Sequence, residues 1–285
     1  MMPLIYSAFT SKNGVGKVSR TNPTPCLIYA MACQRRVVIQ NNHGEKLVGI
    51  LHDTGSDELV IVCHGFRSSK ERIPMVNLAT AFEKERISAF RFDFAGNGES
   101  EGSFQYGNYR RETGDLRSVV QYFHGKEHTV TAIIGHSKGG NVVLLYASKY
   151  RDIHTVVNIS GRFNLDKGIE GRLGKFEYRV TEESLMDRLT TEVRAACLAI
   201  QGDCRVLTVH GSMDKIVPAV DALEFSKSIA NHDLCIMEGA DHDYTSHQDE
   251  LALVVVNFVK TNLHLHKDKS ELQQCRKLRG SRSRL

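Results

Sequence analysis

Two rhythms of apolar positions alternate along the chain. Short apolar runs bounded by Gly, Asn or Asp read as strands, and apolar residues spaced three or four apart read as helices. From Arg36 the pattern is clear. "RVVIQ" and "KLVGILH" flank Asn41-Asn42-His43-Gly44, the pattern of a hairpin. "ELVIVCHG" reads as a buried strand ending at Gly65. Residues 69–86 carry Ile73, Val76, Leu78, Ala81 and Phe82 at helical spacing. "ISAFRFDFAG" is the next strand, and Asp115 to Phe123 is a helix with Leu116, Val119, Val120 and Phe123 on one side. "VTAIIG" predicts a strand and residues 139–150 a helix. "HTVVNIS", "RVLTVHG" and "LCIMEGA" follow as strands, and residues 247–264 as a closing helix.

Strands that are apolar on both faces, alternating with helices, imply a mostly parallel sheet covered on both sides. Function in such sheets gathers at the C-terminal ends of the strands. Those ends read His64-Gly65, Asp93 to Ser100, Ser137, Asp214 and His242. The stretch from Gly161 to Arg205 is too long for a plain crossover, so a small cap is expected over about 161–204. The expected organisation is an extension over 1–35, a folded domain over 36–264 and a basic tail over 265–285.

Charge changes the picture at the ends only. Residues 1–44 hold five Lys or Arg and no acid, and residues 267–285 hold seven basic and two acidic residues. The net charge of +4 therefore leaves the body at 4 − 5 − 5 = −6, which argues against a nucleic-acid-binding face. No apolar run approaches the roughly 20 residues of a membrane span, so a soluble protein is expected. Seven scattered cysteines without a C-x-x-C pair suggest a reducing compartment. The scattered His and Asp residues show no metal spacing. No metal or organic cofactor is expected.

Gly135-His136-Ser137-Lys138-Gly139 lies between a strand and a helix, the context of a nucleophile elbow. A turn this tight strains Ser137 and requires Gly135 and Gly139 on either side. The helix N-terminus beneath supplies free N–H groups, so that of Lys138 can meet an oxyanion. Serine needs a base, and the base an orienting acid. Asp214 follows one strand end and His242 a later one, in the chain order Ser, acid, His. His136, His210 and His247 are competing histidines, and Asp241 and Asp243 competing acids. Neighbours in sequence rarely reach round to Nδ1, which favours Asp214. The Phe66 N–H, just past a strand end beside small Gly65, can complete the oxyanion hole. The glycines of Asp93-Phe94-Ala95-Gly96-Asn97-Gly98-Glu99-Ser100 lack both phosphate-loop spacings and read as a structural bend.

With "HGF", "DFAGNGES", "GHSKGG", "GSMDKIVP" and "GADHDY", the sequence resembles the α/β-hydrolase superfamily over roughly 36–264. Within it, the chain is similar to the esterase and monoacylglycerol-lipase-like branch labelled serine aminopeptidase S33, and to feruloyl or cinnamoyl esterases. The resemblance implies the α/β-hydrolase fold, the acid in "GSMDKIVP", the histidine in "GADH", and hydrolysis of a small-molecule ester. A thioesterase or aminopeptidase would use the same triad, and some members of this fold are noncatalytic ligand receptors. Glu170, Glu177, Glu182 and Glu183 are the cap acids that an aminopeptidase could use for a substrate amine. The cytoplasm is the default location. Ser283-Arg284-Leu285 resembles the peroxisomal S-K-L signal, and the acid-poor N-terminus, with Met31 as an alternative start, suits an organelle address. Acyl group, alcohol and oligomeric state are not encoded in any motif.

Overall fold

The computed structural model describes residues 33–126, 128–168 and 180–282, with 266–282 as backbone only. Most of the 1–35 extension, the cap residues Glu170 and Glu177, and Ser283-Arg284-Leu285 lie outside the described residues. The elements in order are β1 (Cys33–Gln40), β2 (Lys46–Asp53), β3 (Glu58–Cys63), α1 (Ile73–Lys84), β4 (Ser88–Phe92), α2 (Tyr109–His124) and β5 (Thr129–His136). They continue with α3 (Lys138–Lys149), β6 (Thr155–Ile159), α4 (Glu182–Leu189), α5 (Val193–Ala199), β7 (Arg205–Gly211), α6 (Val220–Ser228), β8 (His232–Met237) and α7 (Gln248–Arg282).

The eight strands form one sheet in the order β1-β2-β4-β3-β5-β6-β7-β8. β1 and β2 are the expected hairpin, and β2 meets β4 antiparallel. From β4 through β3 to β8 every pairing is parallel. The two-residue period of β3 divides its side chains. Leu59, Ile61 and Cys63 join a core with α2, α3, α5 and α6. Val60 and Val62 join the opposite core with α1 and α7.

Several elements differ from the sequence expectation, and α2, expected from Asp115, already begins at Tyr109. α6 had no strong apolar period, because its buried apolar side chains are Ala222 and Phe225 alone. The closing helix, expected over 247–264, runs to Arg282. Its apolar period fades there, while Leu, Lys, Gln, Glu and Arg remain good helix formers. The segment expected to be a cap is divided. α5 puts Val193 and Cys197 into the main core and so belongs to a body layer.

α4 buries only Ser184 and Arg188. Polar contacts hold it: a Thr181–Ser184 capping box, and the Asp187 carboxylate between Arg110 and the Tyr109 N–H. Gly107 lets α4 come close, since a Cβ there would sit 2.1 Å from the Ser184 carbonyl. Among the described residues no helix is long and apolar enough to cross a membrane.

Candidate active site

β5 ends directly on the elbow. Ser137 has φ 55° and ψ −118°, a conformation that costs a non-glycine residue about 1–3 kcal/mol. Its N–H donates to the Ile159 carbonyl at 2.7 Å, and its carbonyl accepts from the Gly140 N–H at 3.0 Å. The flanking glycines are steric necessities. A Cβ on Gly135 would lie 2.1 Å from the Gly139 carbonyl oxygen, and one on Gly139 would lie 2.5 Å from that of His64.

The structure brings together Ser137, His242 and Asp214, which the sequence reading selected from 105 and 28 positions apart. His242 Nε2 is 3.0 Å from Ser137 Oγ, and His242 Nδ1 is 2.6 Å from Asp214 Oδ2. Asp214 Oδ1 accepts from the N–H groups of Ile216 and Val217, both at 2.8 Å. Burial opposes ionisation of Asp214. The hydrogen bonds from His210, His242 and Val217 outweigh it and hold the carboxyl well below the usual range. An ionised Asp214 requires Nδ1–H on His242. Nε2 is then an acceptor, and the Ser137 hydroxyl donates to it.

The competitors have other partners. His136 Nε2–H donates to the His242 carbonyl at 2.8 Å, and burial pushes its imidazole down to about 4, so it acts as a neutral strut. His210 Nε2 is 3.0 Å from the Val217 carbonyl and 3.4 Å from Asp214 Oδ2, behind the acid loop. His247 immediately precedes α7 and its carbonyl accepts from Leu251 N–H. Asp241 accepts from Thr245, and Asp243 lies 3.7 Å from Arg72.

Gly65 packs on the elbow, where a Cβ would come within 3.0 Å of Ser137 Cβ. His64 locks this loop. Its Nδ1–H donates to the Gly65 carbonyl at 2.7 Å, and its Nε2 accepts from the Phe94 N–H at 3.1 Å. Acceptance at Nε2 requires the neutral ring, and burial pushes its pKa down to about 4. Phe66 and Lys138 both border the cleft at Ser137.

The Asp93–Ser100 bend lies behind that loop. Asp93 is fully buried and accepts from the Lys70 N–H and ammonium, both at 2.7 Å. Gly98 has φ 51°, and a Cβ there would lie 2.2 Å from Asp93 Oδ2. Ser100 Oγ donates to the Asp93 carbonyl at 2.6 Å and accepts from Val48 N–H at 2.9 Å. Ser100→Ala leaves both backbone groups without these partners. It is expected to cost about 1–3 kcal/mol, read from urea midpoints; an unchanged midpoint would deny the bend this role.

Several contacts escaped the sequence reading. The Tyr244 hydroxyl meets Ser160 Oγ at 2.8 Å and the Val209 carbonyl at 3.1 Å, which anchors the histidine loop two residues after His242. Lys138 and Glu112, both about 4% exposed, pair at 2.6 Å under the elbow. Burial pushes the Glu112 carboxyl up, against the pull of Lys138.

Among the described residues, two clefts are bordered by Ser137. One of about 190 Å³ is bordered by Phe66, Arg72, Met75 and His242, and one of about 40 Å³ by Tyr109, Lys138, Arg162 and Arg188. A larger hollow of about 710 Å³ lies by Ser56, Thr129 and Thr155, at the N-terminal ends of β3, β5 and β6 and away from Ser137. Among the described residues no group of three or more His, Cys, Asp or Glu is placed to hold a metal ion.

Residues 54–190 match the family model described as Serine aminopeptidase, S33. No curated protein matches the chain. Among solved structures, the chain is similar to Est1E from Butyrivibrio proteoclasticus with ferulic acid bound. That match has 22% identity and a TM-score of 0.72, and covers 80% of this chain and 99% of that one. It is also similar to the Pyrococcus furiosus esterase Pf2001, at 24% identity and TM-score 0.68, over 81% of this chain and 93% of that one. The α/β hydrolase GrgF from Penicillium sp. sh18 matches at 18% identity and TM-score 0.68, over 81% and 99%. With a mostly parallel eight-stranded sheet and these neighbours, the chain has the α/β-hydrolase fold, and over residues 54–190 it resembles the serine aminopeptidase S33 group.

Proposed function

We propose that the protein is a serine hydrolase that cleaves a carboxylic ester of a small molecule. The observation that carries this reading is the hydrogen-bonded line from Ser137 Oγ through His242 to Asp214, with Ser137 on a strained elbow. His242 Nε2 takes the hydroxyl proton as Ser137 Oγ attacks the ester carbonyl. Asp214 holds the Nδ1–H tautomer and stabilises the imidazolium. The backbone N–H groups of Phe66 and Lys138 receive the developing oxyanion. His242 returns the proton to the leaving alcohol, and an acyl group remains on Ser137. Water then attacks with His242 as base, releasing the acid and free Ser137.

Neighbours named as esterases, one with ferulic acid bound, support an ester over an amide. The described cap acids Glu182 and Glu183 face solvent. The 40 Å³ cleft is bordered by cations and by no described carboxylate, and Asp243, the carboxylate bordering the larger cleft, lies 3.7 Å from Arg72, which argues against holding a substrate amine. A thioester would meet the same groups.

The test is hydrolysis of p-nitrophenyl esters from acetyl to long acyl, together with methyl ferulate, alongside fluorophosphonate labelling. Turnover is expected, with the adduct on the Ser137 peptide. Folded protein with neither turnover nor adduct would replace this reading with a noncatalytic ligand-binding one.

A further inference from the structure

The smaller cleft beside Ser137 has an unusual lining. Tyr109, Lys138, Arg162 and Arg188 all border it, so three of its residues carry positive charge. Lys138 is answered by Glu112 beneath the elbow. Arg188 is not answered in this way. The residue is 6% exposed, and its guanidinium reaches three neutral acceptors. Nε donates to the Leu165 carbonyl at 2.9 Å, one terminal nitrogen to the Tyr109 hydroxyl at 3.0 Å, and the other to the Lys167 carbonyl at 2.9 Å. Among the described residues no carboxylate lies within ion-pair distance of it. A guanidinium has five N–H donors, so two remain beyond these bonds. A buried cation without a counter-charge is costly, yet this one is held rigidly, stacked 5.4 Å over the Tyr106 ring.

Tyr109 adds a donor. Its oxygen accepts from Arg188, and its own proton has no acceptor among the described residues. Burial pushes this phenol up to about 12 with Arg188 opposing, so the O–H persists at neutral pH.

We propose that this cleft is an anion subsite, and that the substrate is an ester carrying a free carboxylate, seated on Arg188 and Tyr109. The inference rests on the serine-hydrolase reading for its substrate, and on the lining alone for the subsite. A planar carboxylate matches the guanidinium fork. The space, about 40 Å³, is roughly that of three water molecules, which suits three heavy atoms. Ser137 borders the same cleft, so few bonds separate the carboxylate from the scissile carbonyl. These constraints describe a half-ester of a short dicarboxylic acid.

The experiment compares monomethyl glutarate with methyl pentanoate, by methanol release, in wild-type protein, Arg188→Gln and Arg188→Lys. The readout is the ratio of kcat/KM for the anionic over the neutral ester. Arg188 also ties the cap segment to α2, and structural damage alone would lower both rates and leave the ratio unchanged. The expected ratio exceeds one in wild type, falls about tenfold in Arg188→Gln, and is partly kept in Arg188→Lys. A wild-type ratio at or below one, or a ratio unmoved in both variants, overturns the subsite.

If neither ester turns over, calorimetric binding of glutarate to the Ser137→Ala protein decides. Binding that Arg188→Gln abolishes upholds the subsite, and the hydrolase reading then stands or falls with fluorophosphonate labelling of Ser137. No binding overturns the subsite as well.

Discussion

Ser137→Ala is expected to lower kcat on any accepted ester by about 10⁶, and Asp214→Asn by about 10⁴, with the fold intact in both. The first removes the proposed nucleophile. The second keeps the shape but reverses a hydrogen bond. Asp214 Oδ2 accepts from His242 Nδ1 at 2.6 Å, while Oδ1 accepts from the Ile216 and Val217 N–H groups. An asparagine in that pocket must keep its carbonyl oxygen on the two backbone donors, so its NH₂ faces His242. Nδ1 then becomes the acceptor, the proton moves to Nε2, and the ring can no longer take the Ser137 proton. The two losses act on one unit, so the double variant should be no slower than Ser137→Ala alone. Rates for the three variants, with circular dichroism as the control for folding, make the check. Comparable turnover in Asp214→Asn and wild type would remove Asp214 from the proposed triad.

Gly135→Ala is expected to destabilise the protein by about 3 kcal/mol or more, whereas Gly202→Ala should stay within about 0.5 kcal/mol. The contrast is geometric. A Cβ at Gly135 would sit 2.1 Å from the Gly139 carbonyl oxygen and 2.7 Å from the Gly140 nitrogen, all backbone atoms of the elbow. Neither side can move, because β5 is paired on both edges and the first turn of α3 is buried. At Gly202 a Cβ meets nothing within 4 Å. Urea denaturation of the two variants reads the difference. Equal midpoints would mean that the elbow relaxes freely, and the strain assigned to Ser137 would lose its support.

The elbow was legible because its requirements are local. Gly135 and Gly139 stand within two residues of Ser137, and a strand pattern and a helix pattern abut there. Asp214 and His242 were legible for another reason. Each follows an apolar run, and parallel strands bring their C-terminal ends to one edge of the sheet. The Ser160–Tyr244 contact and the buried Lys138–Glu112 pair were not legible. Spacing tells which face of an element a residue occupies, but not which residue of another element it meets. Arg188 illustrates this: on its own helix it reads as one more charge in a polar segment. Only the approach of α4 to Tyr109, permitted by Gly107, buries it beside Ser137.

By itself the sequence determined the alternating elements, the sheet's two covered faces, the glycines of the elbow and the order of its candidate nucleophile, acid and base. Those follow from backbone sterics and the apolar period, which act over a few residues. The tertiary structure decided that α5 belongs to the body, which histidine faces Ser137, and which cations border the small cleft. Those depend on contacts between residues tens of positions apart, made only when the elements have packed.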